Sequence, residues 1–171
     1  YHLASRGVDV LLLERDRVGA GATGAAVGVL SPPLRQPFHE TVHFRGEETA
    51  RTVWEFALRS VRDLGRLLQE RGEEREAGLD LSGGYVVAEA HSQHPVEESH
   101  RALEAAGLPV GWLTGEEIRA LVQGGRGLRG GYRIVGGGAI SPGPTAVCLA
   151  RAAAEAGATV LEETDVSEVS P

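Results

Sequence analysis

One acidic side chain and the small residues that follow it have the types and the spacing of a ligand-binding segment. Residues 8–13 read VDVLLL and lead into Glu14, and residues 18–30 read VGAGATGAAVGVL. In a dinucleotide-binding fold, an acidic residue about 20 positions after the glycine fingerprint binds a ribose hydroxyl. Small residues let backbone N–H groups come close to an anion or a flat ring. We therefore predict a nucleotide-type ligand at Glu14 and at residues 18–30.

Two plainer interpretations stay open at these positions. One takes Glu14 as an acidic residue that ends a strand in solvent, and the other takes residues 18–30 as a flexible Gly/Ala loop. A flexible loop more often carries Ser, Asp or Lys, whereas here Thr23 is the one side chain able to hydrogen-bond a phosphate or ribityl oxygen. The slim segment ends in the apolar pair Val29 and Leu30, which favours packing beneath a bulky group.

The elements that must position these residues follow an order that occurs twice. Residues 1–6 predict the end of a helix, Gly7 its C-terminal cap, and residues 8–13 a strand buried on both faces. The same order, with an Ala-rich helix over 144–156 followed by a Gly and a strand, returns near the end of the chain. We interpret the two as halves of βαβ units in one parallel sheet.

The middle of the chain predicts an α+β segment inserted into that α/β fold. Apolar residues at helical spacing predict a long amphipathic helix over 48–70. Thr114 and Glu117 form a capping box, which is typical of a helix start. The other predicted elements are helices over 95–106 and 114–122 and strands over 85–88 and 132–135.

The composition limits the partners and the location of the protein. The 171 residues carry a formal net charge of −7, and the 17 basic residues are all Arg. This balance argues against a nucleic-acid partner, which requires a basic face. No apolar run approaches the ~20 residues of a membrane span. The single Cys148 cannot form an internal disulfide, so we predict a reducing compartment, the cytoplasm.

The sequence begins within the dinucleotide-binding pattern, after the position where its glycine fingerprint would lie. The sequence contains no Met, begins with Tyr1 and opens on no signal-peptide pattern. Counting about 20 residues back from Glu14 runs past the first residue. We therefore expect a piece of a longer protein, lacking the first strand and the G-x-G-x-x-G fingerprint.

Two segments carry a resemblance to a known family. GVDVLLLERDRVGAGATGAAVGVLSP, residues 7–32, resembles the second-strand and flavin-loop segment of the FAD-dependent amino-acid oxidase family, above all its glycine oxidase-like and sarcosine oxidase-like members. GGGAISPGPTAVCLARAAAEAGATVLEETDVSEV, residues 136–169, is similar to that family's return into the FAD domain. Many members have an acidic residue where Ser141 stands here. The resemblance is specific because the two motifs occur in the right order.

The resemblance implies FAD as the cofactor and assigns residues to it. Glu14 would bind the adenosine ribose, Arg15 would lie beside the adenine, and the backbone of Val166 would contact the adenine. Ala22, Thr23, Gly24 and Ala25 would follow the pyrophosphate and ribityl chain, and Gly28, Val29 and Leu30 would approach the isoalloxazine ring. The implied domains are a partial FAD-binding, Rossmann-like domain over 1–32 and 142–171 and a substrate or cap segment over 33–141.

The family's activity is the oxidation of amines or amino acids. A hydride passes from the substrate's α-carbon to the flavin, the imine product is hydrolysed, and oxygen is the expected acceptor. The implied partner is thus a small amine or amino acid, and a homo-oligomer stays open. No residue of this chain is assigned as catalytic, because the family's substrate-binding Arg and Tyr residues belong to its second half.

A different hypothesis is a non-catalytic, truncated remnant of such a flavoprotein. The genomic sequence upstream of Tyr1 separates the two: an in-frame strand with G-x-G-x-x-G favours the enzyme, and a stop codon favours the remnant. In either case we expect residues 1–171 alone to bind FAD weakly or not at all, because neighbouring strands would lack the central strand of the sheet.

One motif suggests a remote third function, a zinc hydrolase. His39, Glu40 and His43 spell HExxH, which on a helix places two imidazoles on one face. Thr49 stands where the extended signature needs a third His, and nearby prolines favour a loop. We therefore predict loop histidines, which the family resemblance would place near the flavin or over the substrate.

The remaining candidates have structural interpretations. We predict Cys148 as a small core residue and Trp54 and Trp112 as core or interdomain anchors. The Arg and Glu residues of 62–76 predict a solvated helix face. A solvated cluster rather than a metal site is predicted for His91, His94 and His100 with Glu97 and Glu98.

Overall fold

A computed structural model describes residues 1–32, 36–122 and 124–169. The helices are α1 (Phe38–Arg45), α2 (Glu47–Glu70), α3 (Gln93–Ala105), α4 (Gly115–Leu121) and α5 (Pro142–Glu155), with a 3-10 turn at Ala4–Arg6. The strands are β1 (Leu11–Leu13), β2 (Val29–Leu30), β3 (Gly84–Glu89), β4 (Val110–Thr114), β5 (Leu128–Ile134), β6 (Gly138–Ala139) and β7 (Thr159–Leu161). They form sheets in the orders β1-β7, β2-β6 and β3-β5-β4.

The chain divides into two compact units. The parallel unit comprises Tyr1–Gly28, Gly65–Leu79 and Ala139–Pro171, and the antiparallel unit comprises Val29–Leu64 and Asp80–Gly138. The assignment of an FAD-binding role to residues 1–32 and 142–171 stays a prediction.

The parallel unit is built on the repeated helix, glycine and strand order. β1 pairs in parallel with β7, with Leu11 opposite Thr159 and Leu13 opposite Leu161. Gly7 ends the first turn at φ +78°, a conformation that costs glycine nothing. A small core of alanines, centred on Ala4, Ala153 and Ala158, packs beside the strands.

The prediction that β1 is buried on both faces is wrong in this structure. Leu11, Leu12 and Leu13 are 60%, 41% and 41% exposed. Within the described residues, β1 has a single strand partner, β7. A continuous apolar run predicts burial only when neighbouring strands and helices cover both faces of the strand.

A charged cluster ties the parallel unit together and departs from the predicted solvated face over 62–76 at Arg71 and Glu73, whereas the other Arg and Glu residues of that range are exposed. The Glu73 carboxylate is 7% exposed. It accepts hydrogen bonds from Arg71 at 3.0 Å and from Arg151 at 2.8 Å. These two arginines also bind Glu155 and Glu76, respectively. The residue that the helical pattern placed in solvent is therefore the buried centre of an ion-pair network.

Cys148 lies beside this network on α5 and is fully buried, which confirms it as a core residue. Burial, with a smaller contribution from Glu73 and Glu76, raises the pKa of its thiol. A neutral thiol is a poor nucleophile.

The antiparallel unit packs helices on one sheet. β5 is the central strand and pairs antiparallel with β3 on one side and β4 on the other. The main hydrophobic core includes Phe38, Trp54, Leu103, Tyr132 and Ile134, so the prediction of Trp54 as a core residue is confirmed.

The predicted capping box is present at the start of α4. The Glu117 carboxylate accepts the backbone N–H of Thr114 at 2.7 Å, and the Thr114 hydroxyl accepts the N–H of Glu117 at 3.3 Å. Hydrogen bonds from Thr114 lower the pKa of Glu117.

Across the described ranges, no helix combines the length and the apolarity that crossing a bilayer requires. The longest helix, α2, is amphipathic and carries charged residues throughout.

Candidate functional site

Glu14 lies at the carboxyl end of β1, where the parallel pair ends. Its backbone N–H donates to the carbonyl of Leu161 at 2.8 Å. Its carboxylate Oε1 accepts the backbone N–H of Asp16 at 2.9 Å, and within the described residues Oε2 has no partner. The half-buried carboxylate thus keeps one free oxygen at the edge where α/β sheets bind ligands.

The chain that follows β7 runs beside the chain that follows β1. The backbone N–H groups of Glu163 and Thr164 donate to the carbonyls of Asp16 and Glu14 at 2.8 and 2.9 Å. The Glu162 carboxylate accepts the N–H of Val18 at 2.7 Å. These contacts bring together two segments that are far apart in sequence.

Two predicted adenine contacts lie on this paired segment. Val166 follows Thr164 by two residues and is half exposed. Arg15 is exposed and binds the adjacent Asp16 carboxylate at 3.2 Å. Arg15 follows Glu14 directly, whereas Val166 is connected to Glu14 only through Thr164, whose backbone N–H binds the Glu14 carbonyl.

Three glycines of the small-residue segment are required by the protein's own backbone. A Cβ at Gly24 would meet the carbonyl oxygen of Gly19, and a Cβ at Gly19 would lie 3.0 Å from the carbonyl oxygen of Gly143 at the start of α5. Gly28 has φ +79°, and a Cβ there would meet the carbonyl oxygen of Ile140. Close packing of backbone on backbone is therefore sufficient to explain these positions.

The rest of the segment has no such explanation. Gly21 has no atom within 4 Å of an added Cβ. The neighbouring small residues are exposed: Ala20, Ala22, Thr23, Ala25 and Ala26. The Thr23 hydroxyl has no hydrogen-bond partner in the part of the chain that the structure describes. The surface is slim and apolar, with one free hydroxyl.

Of the three residues predicted to approach a flavin ring, Gly28 belongs to the parallel unit, and Val29 and Leu30 form β2 in the antiparallel unit. Val29 is exposed and Leu30 is half-buried.

The HExxH residues lie on a helix, so the prediction of loop histidines is wrong. Pro37 precedes the first residue of α1, where a proline is tolerated because the first helical N–H groups have no partner within the helix. The His39 ring is engaged by the protein: Nδ1 lies 2.9 Å from the Ser99 hydroxyl and Nε2 lies 3.6 Å from the Glu98 carboxylate. Among the described residues, no three His, Cys, Asp or Glu side chains are placed to hold a metal ion.

The other histidines are divided between solvent and core. His91 and His94 are exposed beside Glu89 and Glu98. His100 differs from the solvated prediction, since its ring packs edge-on against Trp112 with centroids 5.4 Å apart.

Sequence reasoning missed a cavity of about 240 Å³ in the antiparallel unit. Trp54, Ser99 and Tyr132 contribute to its wall. The only signal at sequence level was the tryptophan, which was interpreted as a packing anchor alone.

These features define a class of protein. The chain belongs to the FAD dependent oxidoreductase family, DAO, whose sequence pattern matches residues 1–171. The cofactor of that family is FAD. The predicted family resemblance, the α/β fold class and the predicted cofactor are thereby confirmed.

Particular relatives are glycine oxidases. The glycine oxidase of Geobacillus kaustophilus (strain HTA426) is 28% identical over 174 residues, which cover 99% of this chain and 43% of that protein. The crystal structure of glycine oxidase from Geobacillus kaustophilus aligns with a TM-score of 0.74 over 96% of this chain and 42% of that one. The chain therefore spans less than half the length of these relatives.

A more distant structure shares the fold. L-proline dehydrogenase from P. horikoshii aligns with a TM-score of 0.67 at 20% identity, over 97% of this chain and 40% of that one.

The described residues fit a flavin dinucleotide. A free carboxylate oxygen at a strand end suits a ribose hydroxyl. An exposed run of small residues with a free Thr23 hydroxyl leaves room for a pyrophosphate and a ribityl chain.

Proposed function

We propose that this chain contributes to the FAD-binding part of an oxidoreductase that oxidises a small amine or amino acid, in the manner of glycine oxidase. One observation carries the proposal: residues 14–18, which lead into the exposed small-residue segment, are hydrogen-bonded to the segment after β7 at the carboxyl end of a parallel strand pair. The similarity to glycine oxidases supports the substrate class.

In this proposal, each part of the segment has a role set by its chemistry. The free carboxylate oxygen of Glu14 accepts a hydrogen bond from a ribose hydroxyl. Arg15 and the backbone of Val166 flank the adenine. Ala22, Thr23, Gly24 and Ala25 line the pyrophosphate and ribityl chain, and Gly28, Val29 and Leu30 approach the isoalloxazine ring.

Bound FAD supplies the chemistry, which is acceptance of a hydride from the substrate's α-carbon. The residues of this chain bind and orient the cofactor, and the apolar face of the small-residue segment excludes water from it. The imine product would be hydrolysed, with oxygen as the final acceptor. No residue of the chain is proposed as an acid or a base.

The test uses the purified full-length protein. We expect a yellow protein whose flavin absorbance bleaches anaerobically with at least one of glycine, sarcosine, D-alanine or L-proline, and returns on admission of air. A colourless protein that takes up no added FAD would instead support the truncated, non-catalytic remnant.

Glu14→Gln is expected to weaken FAD binding by about tenfold, the loss of one hydrogen bond to a charged acceptor. The glutamine Oε1 can still accept the N–H of Asp16, so the fold should be kept. Flavin fluorescence during titration measures the Kd.

The matched control is Asp9→Asn, which removes the same charge at the opposite end of the strand run. Its Kd should equal that of the unchanged protein. Equal affinities for Glu14→Gln and Asp9→Asn would remove Glu14 from the proposed site.

Two further proposals follow from the same interpretation. The single free thiol, Cys148, is compatible with a cytoplasmic location. The second proposal is a homo-oligomer, which analytical ultracentrifugation of the purified protein tests.

A further inference from the structure

A groove in the antiparallel unit lies beside α2. Its volume is about 400 Å³, which falls within the ~300–1,000 Å³ typical of small-molecule sites. Glu55, Arg59 and Arg62 of α2 line one side, and residues 107–109 and 135–136 line the other. We call this space the α2 groove. These residues all belong to the antiparallel unit.

The side opposite α2 is held in place by the sheet. Residues 107–109 lead into β4, and residues 135–136 follow β5. The backbone N–H of Val135 donates to the carbonyl of Pro109 at 3.3 Å, next to the pairing of β4 with β5. An added Cβ at Gly107 has no atom within 4 Å. The groove is therefore formed before a ligand arrives and is open beside this turn.

The bottom of the α2 groove is apolar. Leu58 and Leu108 line it and are 9% and 6% exposed, because both also belong to the main hydrophobic core. Val135 lines it as well and is 49% exposed. An apolar chain that covers these side chains removes their surface from water, which favours binding.

Two cations stand beside this apolar surface. Arg59 and Arg62 are three positions apart and are therefore neighbours on the helix surface. Both are exposed, and within the described residues neither guanidinium has a hydrogen-bond acceptor or an ion-pair partner. Each guanidinium ends a flexible side chain that can turn toward a carboxylate in the groove and donate two parallel hydrogen bonds to it.

The acidic residue on the groove limits the charge of a ligand. Glu55 is half-buried and accepts a hydrogen bond from Nε of Arg51 at 2.8 Å, so Arg59 and Arg62 stay available. Glu55 still places a negative charge on the groove, which would repel the second charge of a dianion. A carboxylate carries one charge at neutral pH, whereas a phosphate monoester carries nearly two. The charges therefore favour a monocarboxylate.

We propose that the α2 groove binds a monocarboxylate with a short apolar chain, its carboxylate on Arg59 and Arg62 and its chain over the apolar bottom of the groove. The groove shares no residue with the segment proposed to bind FAD, so this site is independent of the proposed function. Two features define the ligand class: the unpaired guanidiniums require the anion, and the apolar bottom requires the chain.

The test titrates three probes into the purified full-length protein and follows them by ligand-observed NMR. Hexanoate has the chain and the charge, hexanamide keeps the chain without the charge, and acetate keeps the charge with almost no chain. We expect a Kd of about 1 mM or lower for hexanoate. Binding should be roughly tenfold weaker for hexanamide and for acetate. Sodium chloride should weaken the binding of hexanoate more than that of hexanamide.

Paired substitutions locate the site. Arg59→Met together with Arg62→Met removes both guanidiniums but keeps unbranched side chains of similar helix propensity, so hexanoate should bind no better than hexanamide. The matched control is Arg45→Met together with Arg126→Met, which removes two exposed charges outside the groove and should leave the affinity for hexanoate unchanged. Circular dichroism checks that both variants are folded.

A second readout does not depend on any variant. In ¹⁵N-labelled protein, hexanoate should shift the backbone amide signals of Gly107 and Gly136, which line the groove. Three results would overturn the proposal: no saturable binding of hexanoate, equal affinity for hexanoate and either of the other probes, or an unchanged affinity for hexanoate without Arg59 and Arg62. If that variant does not fold, the probe comparison and the two glycine signals decide the matter on the unchanged protein.

Discussion

Replacing Gly28 with Ala is expected to lower the free energy of unfolding of the parallel unit by roughly 3 kcal/mol. Gly28 has φ +79°, and an added Cβ would meet the carbonyl oxygen of Ile140 and lie 3.1 Å from Cδ of Pro142. The backbone cannot simply move away, because the Gly28 carbonyl accepts the N–H of Ile140 at 2.8 Å. Any relief of the clash therefore weakens this hydrogen bond.

The matched control is Gly21→Ala in the same segment. An added Cβ there has no atom within 4 Å, and the stability should change by no more than about 0.5 kcal/mol. Urea denaturation followed by circular dichroism measures both variants. Equal stability of the two would mean that the contact between Gly28 and Ile140 does not constrain the segment.

Replacing Glu73 with Gln is expected to destabilise the protein by roughly 3 kcal/mol at neutral pH. The substitution keeps the shape but removes the buried charge that Arg71 and Arg151 share at 3.0 and 2.8 Å. Each arginine keeps a second partner, Glu155 or Glu76, so the loss lies at the lower end of values for a broken buried pair.

The matched control for Glu73→Gln is Glu76→Gln, which removes an exposed carboxylate that binds the same arginine. Glu76 binds Arg151 as well, but its side chain is 47% exposed, and solvent-exposed pairs contribute about 1 kcal/mol at most. Equal losses for Glu73→Gln and Glu76→Gln would show that the burial of Glu73 has no energetic weight.

The effect of Glu73 depends on pH with a definite sign. The hydrogen bond from Arg71 is the main cause that lowers the pKa of Glu73 below its usual 4.5. A carboxyl group with a lower pKa in the folded state stabilises that state above the unfolded pKa, and this contribution is lost as the pH falls through the folded pKa. The stability difference between the unchanged protein and Glu73→Gln should therefore be full near pH 7 and shrink below pH 4.5. A difference that grows in acid would contradict this account.

Much of the local structure follows from the sequence because its causes lie within a few residues. Gly7 ends a turn through a positive φ. Thr114 and Glu117 satisfy each other's backbone N–H groups three positions apart. The apolar spacing over 48–70 defines α2 almost to the residue, as Glu47–Glu70.

Part of the candidate site is also visible in the sequence. The acidic residue at the end of a strand run and the small residues after it were predicted from their types and order, and the family match confirms the family and its cofactor. The individual contacts of Glu14, Thr23 and their neighbours with FAD stay predictions.

Other features were decided by residues distant in sequence. β4 contains Gly111 and gives no clear strand pattern, yet it pairs along its length with β5. Gly24 and Gly28 are small because other backbones lie against them. The residues around Gly28 in the sequence do not indicate that the carbonyl oxygen of Ile140 lies against it.

The sequence by itself determined the helix and strand order of the parallel unit and the main caps. Only the tertiary structure decided that Leu11 is exposed, that Glu73 is a buried ion-pair centre and that the buried N–H of Trp54 has no partner among the described residues. The physical reason is range: hydrogen bonds of turns and caps act between near neighbours, whereas burial depends on which distant surfaces meet.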